Sequence, residues 1–329
     1  MNFRSKNLLV TGGAGFIGSN FIKYLLEKYD GISIYNLDKL TYASNLSHLK
    51  NLTSNKSYKF IHGDICDNDL VSKIFKNYNI DGVINFAAET HVDNSIINPD
   101  NFIKTNINGV YNLLNISYKF WMNKPFNVKE DYLNARFHQI STDEVYGSIL
   151  KGSFTEKSSY APNSPYSASK ASADMLIRSF HKTYGLNVVT TISSNNFGPN
   201  QNNEKFIPKI IQSLINKKTI SVYGDGLNIR DWIYVMDNCH AIEKVFNNSA
   251  SGEKYNVGGE NEISNIDLID IIFKNLSKKH KVKKSIRFVK DRYGHDRRYS
   301  LNINKIKNEL NWVPKKGFLN TYSFSKLVK

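Results

Sequence analysis

The chain has little of what staples or anchors a protein. Two cysteines in 329 residues, Cys66 and Cys239, exclude a disulfide framework and make a reducing cytoplasm the expected location. No apolar run reaches the roughly 18 residues of a membrane-spanning helix, so no membrane partner is expected. The opening "MNFRSKNLLVTGG" lacks the apolar core and cleavage site of a secretory leader. Internal repeats and low-complexity linkers are absent, and no metal site is expected. Acidic residues are scarce: 29 Asp and Glu stand against 44 Lys and Arg, a net charge of +15. That excess invites a nucleic-acid reading. The lysines are scattered, however, with one denser patch, "KKHKVKKSIR" (278–287), in a chain rich in Asn, Lys and Ile. A solvated basic surface is the better reading, so no nucleic-acid partner is expected, and part of the charge suits an anionic small substrate.

What is present is a regular alternation. Strand-like stretches run over 6–11, 32–38, 58–64, 82–88, 136–142 and 186–192. Helical stretches lie between most of them, at 16–29, 67–78, 99–121 and 166–184. Strand and helix in turn are the sign of a doubly wound parallel sheet covered on both faces, an α/β fold. Past 193 the pattern loosens. We expect a dinucleotide-binding domain over 1–192, with a return segment near 228–257, and a smaller α/β substrate-binding domain over 193–329.

Three local patterns carry chemistry. "TGGAGFIGS" (11–19) sets Gly12, Gly15 and Gly18 three residues apart between a strand and an amphipathic helix, and Asp38 follows Gly18 by 20 residues at the end of the second strand. That is the Rossmann dinucleotide arrangement: glycines let backbone approach a pyrophosphate at a helix N-terminus, and the acid accepts hydrogen bonds from the adenosine ribose. A carboxylate there repels a 2′-phosphate and favours NAD over NADP, a preference that Lys39 weakens. "SPYSASKAS" (164–172) sets Tyr166 and Lys170 one turn apart on a helix begun by Pro165. An ammonium beside a phenol lowers its pKa towards the range of a working base. "STDEVYG" (141–147) puts Asp143 and Glu144 side by side where an apolar strand ends. Adjacent carboxylates repel, and both cost desolvation energy. Both serve one pocket only if the strand has ended and the chain is turning, which Gly147 fits.

With these stretches go "LDKLTYASN", "HGDICD", "AAETHVDNSI", "YAPNSPYSASKASAD", "SSNNFGP", "VYGDGLNIRDWIYVMD", "YNVGGENEISNID" and "DRYGHDRRY". Together, from about residue 6 to 313, they resemble the extended short-chain dehydrogenases/reductases, and within them the dTDP-glucose 4,6-dehydratases. The resemblance implies an NAD-dependent hydro-lyase that holds NAD+ tightly, acts on dTDP-glucose and serves rhamnose-type deoxysugar synthesis. Tyr166, helped by Lys170, takes the proton of the glucosyl 4-hydroxyl while hydride passes from C4 to NAD+, to be returned at C6. Glu144 removes the C5 proton, protonated Asp143 gives its proton to the departing C6 hydroxyl, and Thr142 hydrogen-bonds near the 4-hydroxyl.

The same resemblance implies further contacts. Gly12, Gly15, Phe16, Ile17, Gly18, Asp38, Lys39, Leu40, Thr41, Asp64, Ile65, Ala87, Ala88, Thr105 and Asn195 would serve the cofactor, with Tyr166 and Lys170. Asn196, Lys205, Phe206, Ser221, Val222, Tyr223, Arg230, Asn265, Arg292 and His295 would serve the sugar nucleotide, and His91 reads equally as a substrate contact or a packed histidine. A homodimer built on helices 99–121 and 166–184 in a four-helix bundle is expected. The chain departs from the family pattern at "NQNN" (200–203), where aromatics are usual, at Tyr293, where proline is usual, and at "GFLNTYSFSKLVK" (317–329), where a further helix follows. The first two lie at the nucleotide end, so another NDP-glucose stays open as substrate, as does a sugar-nucleotide 4-epimerase reaction.

Overall fold

The computed structural model describes residues 3–315 and 322–327, so the departure at 317–329 lies mostly outside the described residues. Strands β1 (Asn7–Thr11), β2 (Ser33–Asp38), β3 (Tyr58–His62) and β4 (Gly82–Asn85) come first, then a short hairpin of β5 (Met122–Lys124) and β6 (Asn127–Val128), then β7 (Arg136–Thr142) and β8 (Val188–Ser193). Helices α1 (Phe16–Lys28), α2 (Asn68–Tyr78), α3 (Val92–Ile97), α4 (Asp100–Phe102), α5 (Val110–Trp121) and α6 (Pro165–Tyr184) are interleaved with them. Later in the chain follow β9 (Asn195–Phe197), α7 (Phe206–Ile215), β10 (Ile220–Tyr223), β11 (Ile229–Tyr234) and α8 (Val235–Asn248). The rest are β12 (Lys254–Val257), β13 (Glu262–Ser264), α9 (Asn265–Ser277), β14 (Ile286–Val289) and α10 (Asn304–Leu310).

Seven strands form one parallel sheet in the order β12-β8-β7-β4-β1-β2-β3. The expected strands and helices stand within a few residues of their sequence-read bounds. The seventh strand, β12, lies within the expected return segment and pairs with β8. β11, in the same stretch, instead pairs with β9 and β13 in a separate small sheet. Central strands are buried on both faces, which is why they read as apolar runs rather than alternating ones. On one face α2, α5 and α6 cover Leu9, Val83 and Phe137; on the other α1 and α8 cover Leu8, Val10 and Ile84. A third core, around Phe197, Trp232, Leu268 and Phe324, joins α7, α9 and the small sheets.

Local sequence explains how the elements start and stop. α6 opens with a capping box in which the Ser164 and Ser167 side chains each satisfy the other's backbone N–H, Pro165 follows at the first helical position, and Gly185 closes the helix with φ 71°. α4 and α5 are one helix interrupted by a π-helical segment, Ile103–Gly109, a local underwinding that commonly marks functional sites.

The order reverses between β4 and β1, and the loops after β1, β4, β7 and β8 gather at the carboxyl ends of the strands. Open α/β sheets bind ligands at such a switch point. Across it runs a buried polar ladder: the Thr11 hydroxyl donates to Asn85 Oδ1, and Asn85 Nδ2 donates to Gln139 Oε1 at 2.8 Å.

At the opposite end of β7, buried Arg136 closes the C-terminus of α8. It donates to the carbonyls of Val245, Phe246 and Ser249 and to Ser249 Oγ and Asn187 Oδ1, at 2.8–3.3 Å. Arg136→Met strands these acceptors out of water and is expected to cost roughly 3 kcal/mol, read as a lowered urea midpoint with an unchanged slope. An unchanged midpoint would show that water replaces the guanidinium.

Candidate active site

One cavity of about 840 Å³ opens along the switch point and runs on between the sheet and the small domain. Of the residues expected at the site, all but Leu40 and Val222 line it. On β10 burial alternates, so Val222 is turned into the small-domain core while Ser221 and Tyr223 face out. Leu40 lies at φ 57° with its side chain 38 % exposed, and its N–H donates to Asp38 Oδ1 at 2.8 Å. Those two side chains are corrections to the expected contacts.

The glycine loop is tight where it meets protein and open where it faces the cavity. A Cβ on Gly12 would stand 2.6 Å from the Ala87 nitrogen, and Gly12 has φ +68°; a Cβ on Gly18 would stand 2.5 Å from the Gly12 oxygen. Gly15 meets only the Gly12 oxygen, at 3.2 Å, and caps α1 without a side chain. The first N–H groups of α1 therefore face the cavity with no side-chain cap, as an anion requires. Asp38 braces this loop. It accepts from the Ala14 N–H at 2.9 Å, the Leu40 N–H and the Ser44 hydroxyl at 2.8 Å. A carboxylate has about four acceptor positions, so one remains for a ribose hydroxyl. Lys39 is paired with Asp64 at 2.7 Å. Asn195 Oδ1, buried and without a partner, waits for a donor such as a carboxamide. These residues fit a dinucleotide.

Past the Asn195 end of that cradle the chain turns as the paired acids require. β7 stops at Thr142, whose Oγ1 accepts from the Glu144 N–H at 3.4 Å, and Asp143–Tyr146 form a 3₁₀ turn ending at Gly147 with φ 79°. The turn breaks strand alternation, and both acids line the cavity. Asp143 is buried, and Thr142 Oγ1 donates to its Oδ1 at 3.3 Å, while Oδ2 has no partner. Burial first, then the charge of Glu144, push the Asp143 carboxyl well above the carboxylate range, and Arg230 offsets only part of this. Burial raises Glu144 as well, but Arg292, Arg230 and Lys205 all oppose it. Both carboxyls are thus pushed upward, but three cations relieve Glu144 where one, Arg230, relieves Asp143.

Tyr166 and Lys170 share one face of α6, as their spacing predicts. The Lys170 ammonium donates to the Ile140 carbonyl at 2.6 Å, and burial brings its pKa down to about 8 against the opposing charge of Asp174. The expected depression of the Tyr166 phenol is not what the protein alone produces: burial and the charge of Glu144 push it up, and a hydrogen bond with Thr142 pulls it down.

The sugar-nucleotide end is mostly occupied by internal contacts. Lys205 Nζ donates to the Thr90 carbonyl at 3.0 Å, and Arg292 stands 3.6 Å from Asp93, which also accepts from the Tyr223 hydroxyl at 3.1 Å. Arg230 lies 4.3 Å over the Tyr299 ring and donates to the carbonyls of Ile229 and Asp296 at 2.7 and 2.9 Å. His295 Nδ1 is 2.6 Å from Asp291. His91 caps α3 through the Asn94 N–H at 3.4 Å, and burial lowers its pKa. The Asn196 amide, expected on phosphates, is spent on Ser194 O and Asn238 Nδ2 at 3.0 and 2.9 Å. In "NQNN", Gln201 Nε2 donates to Asn196 O at 2.9 Å and Asn202 Nδ2 to Tyr42 O at 3.1 Å.

Several residues were not legible as site residues. Asn106, in the π segment, clamps the Glu89 backbone at 2.8 and 3.0 Å and reaches Ser169 Oγ at 2.9 Å, tying the loop after β4 to α6. Asp174 accepts from Ser141 at 2.6 Å and Tyr160 at 3.1 Å beneath Lys170. The four-residue step Tyr166, Lys170, Asp174 was a signal that could have found it. Tyr299 and Glu204 had none.

A family described as GDP-mannose 4,6 dehydratase matches residues 9–323. The dTDP-glucose 4,6-dehydratase of Escherichia coli is 45% identical over 330 residues, covering 94% of this chain and 90% of that protein. Among solved structures, the dTDP-glucose 4,6-dehydratase of Streptomyces venezuelae, with NAD bound, superposes with a TM-score of 0.88 at 40% identity, covering 98% of this chain and 95% of its own. The UDP-glucose 4-epimerase of Thermotoga maritima superposes with 0.84 at 27% identity, covering 98% and 100%. The chain therefore belongs to the nucleotide-sugar 4,6-dehydratases of the GDP-mannose 4,6 dehydratase family, beside the dTDP-glucose 4,6-dehydratases.

Proposed function

We propose that the protein converts dTDP-glucose into dTDP-4-keto-6-deoxyglucose and water, with NAD+ held tightly and regenerated in each cycle, for rhamnose-type deoxysugar synthesis. The observation that carries this reading is the Asp143–Glu144 turn, two acids of unlike environment in one cavity with Tyr166 and Lys170. Epimerases share the fold, so the fold does not discriminate; a 4-epimerase has no use for a second and third proton carrier.

When bound, NAD+ supplies the hydride acceptor and donor and the positive charge of its nicotinamide ring. Gly12, Gly15 and the start of α1 hold its pyrophosphate, Asp38 its ribose, and Asn195 its carboxamide. Tyr166 takes the proton of the 4-hydroxyl. The 4-ketone then acidifies C5–H, which Glu144 removes. Asp143, kept protonated by burial, donates to the departing C6 oxygen, and Glu144 returns a proton to C5. Arg292, Arg230 and Lys205, the cations that act on Glu144, stand where a diphosphate needs partners.

Helices over 99–121 and 166–184 are the proposed dimer surface, supported by exposed Ile103, Tyr111 and Met175. Two unpaired cysteines support a reducing cytoplasm. Among the described residues, no helix is long and apolar enough to cross a membrane.

Incubation with dTDP-glucose is expected to give loss of one water by mass and the alkali-induced absorbance of a 4-keto sugar, with UDP-glucose turned over far more slowly. Glu144→Gln and Asp143→Asn should each lower kcat by about 10²–10⁴-fold; release of a C4 epimer with no loss of water would contradict the reading. The pH profile has a stated sign. Burial lowers the Lys170 pKa to about 8, so its ammonium is lost as pH rises through about 8, and kcat falls there. Because Asp174 opposes that shift, Asp174→Asn should move the alkaline limb to lower pH. An alkaline limb that stays in place would remove Asp174 from this role.

A further inference from the structure

The cavity is fastened across its mouth at two ends, by different chemistry. At the sugar-nucleotide end the links carry charge: Lys205 Nζ donates to the Thr90 carbonyl at 3.0 Å, and Asp93 meets Arg292 at 3.6 Å and the Tyr223 hydroxyl at 3.1 Å. At the cofactor end the links are neutral amides. Asn20 Nδ2 donates to the Pro199 carbonyl at 2.9 Å, Asn200 Nδ2 to Ser19 Oγ at 3.2 Å, and Asn202 Nδ2 to the Tyr42 carbonyl at 3.1 Å. The stretch "NQNN" (200–203), expected at the nucleotide end, thus meets α1 and the loop after β2 instead.

Each link is braced at its own end. Asn20 is buried, and its Nδ2 also donates to the Phe16 carbonyl at 2.9 Å, which accepts from Ser19 Oγ at 3.1 Å as well. Asn202 Oδ1 accepts from the Glu204 N–H at 3.1 Å, which fixes the direction its amide faces. Asn200 lies at φ 68°, in the left-handed region that asparagine and glycine tolerate. The loop after β2 hangs in turn on the glycine loop, through the Asn45 N–H and the Ala14 carbonyl at 2.9 Å. Gln201 and Asn202 line the cavity with Phe16, Ile17, Thr41 and Ser44. Residues 199–202 are therefore the wall that reaches from the first turn of α1 to the loop beside Asp38.

We propose that Asn20, Asn200 and Asn202 hold residues 199–202 as a strap over the dinucleotide, which keeps it bound while the sugar nucleotide exchanges. A diphosphate entering at the far end can take over Lys205 and Arg292, because it is itself the partner those cations seek. Bonds from neutral amides to carbonyl and hydroxyl oxygens offer a bound anion no such exchange, so the strap stays shut during turnover. The three asparagines are positioning residues: they act on the segment that covers the cofactor, not on the reacting atoms. The need for retention rests on the dehydratase reading. Hydride taken from C4 is returned at C6 of the same sugar, so cofactor lost between the two steps would strand an oxidised sugar.

The test uses the NAD-loaded protein and follows exchange of bound NAD for excess deuterium-labelled NAD, read by mass after rapid desalting. Asn200→Gly removes one amide and keeps the left-handed backbone; Asn202→Ala removes another. The strap predicts that each variant speeds exchange about fivefold and the pair about twentyfold, each lost bond contributing separately. Asn203→Ala, at an exposed position outside the three bonds, should leave exchange as it is. Affinity for dTDP, read by fluorescence titration, should not fall in any of them. With dTDP-glucose and no added NAD, the double variant should lose activity over successive turnovers and regain it when NAD is supplied. Exchange in the double variant as slow as in the wild type would overturn the strap. So would faster exchange accompanied by an equal loss of dTDP affinity and a lowered urea midpoint, which would mark general loosening. Absence of dehydrated product from the wild type, with the same order of exchange rates, would remove the dehydratase reading and leave the strap standing.

Discussion

The burial of one carboxyl group beside another is the constraint on which the site depends. A lone buried carboxylate is expensive in a low-dielectric setting, and a second charge on the next residue adds to the cost. The chain meets the cost unequally. Asp143 is turned inward at the foot of a 3₁₀ turn with one oxygen unpartnered, whereas Glu144 is faced by Arg292, Arg230 and Lys205. Arg230 is anchored on Ile229 O, Asp296 O and the Tyr299 ring, so its position does not depend on pairing with either acid. Two residues adjacent in sequence thereby come to stand in unlike electrostatic settings.

The fold supplies that inequality by geometry. β7 runs in parallel register with β4 and β8, and because Thr11, Asn85 and Gln139 stand in line it carries Thr142 two residues beyond the level of Gly12, to the wall of the cavity. α6, begun by its capping box, returns across the carboxyl end of the sheet and sets Tyr166 against Thr142 and Lys170 against Ile140. The π segment turns Asn106 onto the Glu89 backbone and Ser169, locking the loop after β4 to α6. The small domain then brings its cations from Lys205, Arg230 and Arg292, far apart in sequence, to one wall.

Local chemistry was legible in the sequence; long-range chemistry was not. The glycine loop, the Tyr166–Lys170 step and the turning of "STDEVYG" are set by neighbours within a few residues, and each was read in advance. The sheet's first six strands were read from apolar runs. Val222 was misjudged because a motif match does not say which face of a two-sided strand is outward. Asn196 lines the cavity, but the partner of its amide oxygen, Asn238, is 42 residues away and was not legible. Tyr299 entered the site only through its stacking under Arg230, a contact no local pattern announces. The expected lowering of the Tyr166 phenol by Lys170 is not produced by the protein alone: the ammonium is turned to a backbone carbonyl, and burial pushes the phenol up.

The most direct measurement is a titration of the two acids in the resting, NAD-loaded protein. Carboxyl carbon chemical shifts, assigned by comparison with Asp143→Asn and Glu144→Gln, would be followed across pH. The account predicts that at neutral pH Asp143 is protonated and Glu144 ionised, with the Asp143 transition well above that of Glu144. Two ionised carboxylates at neutral pH, or a protonated Glu144 beside an ionised Asp143, would contradict it.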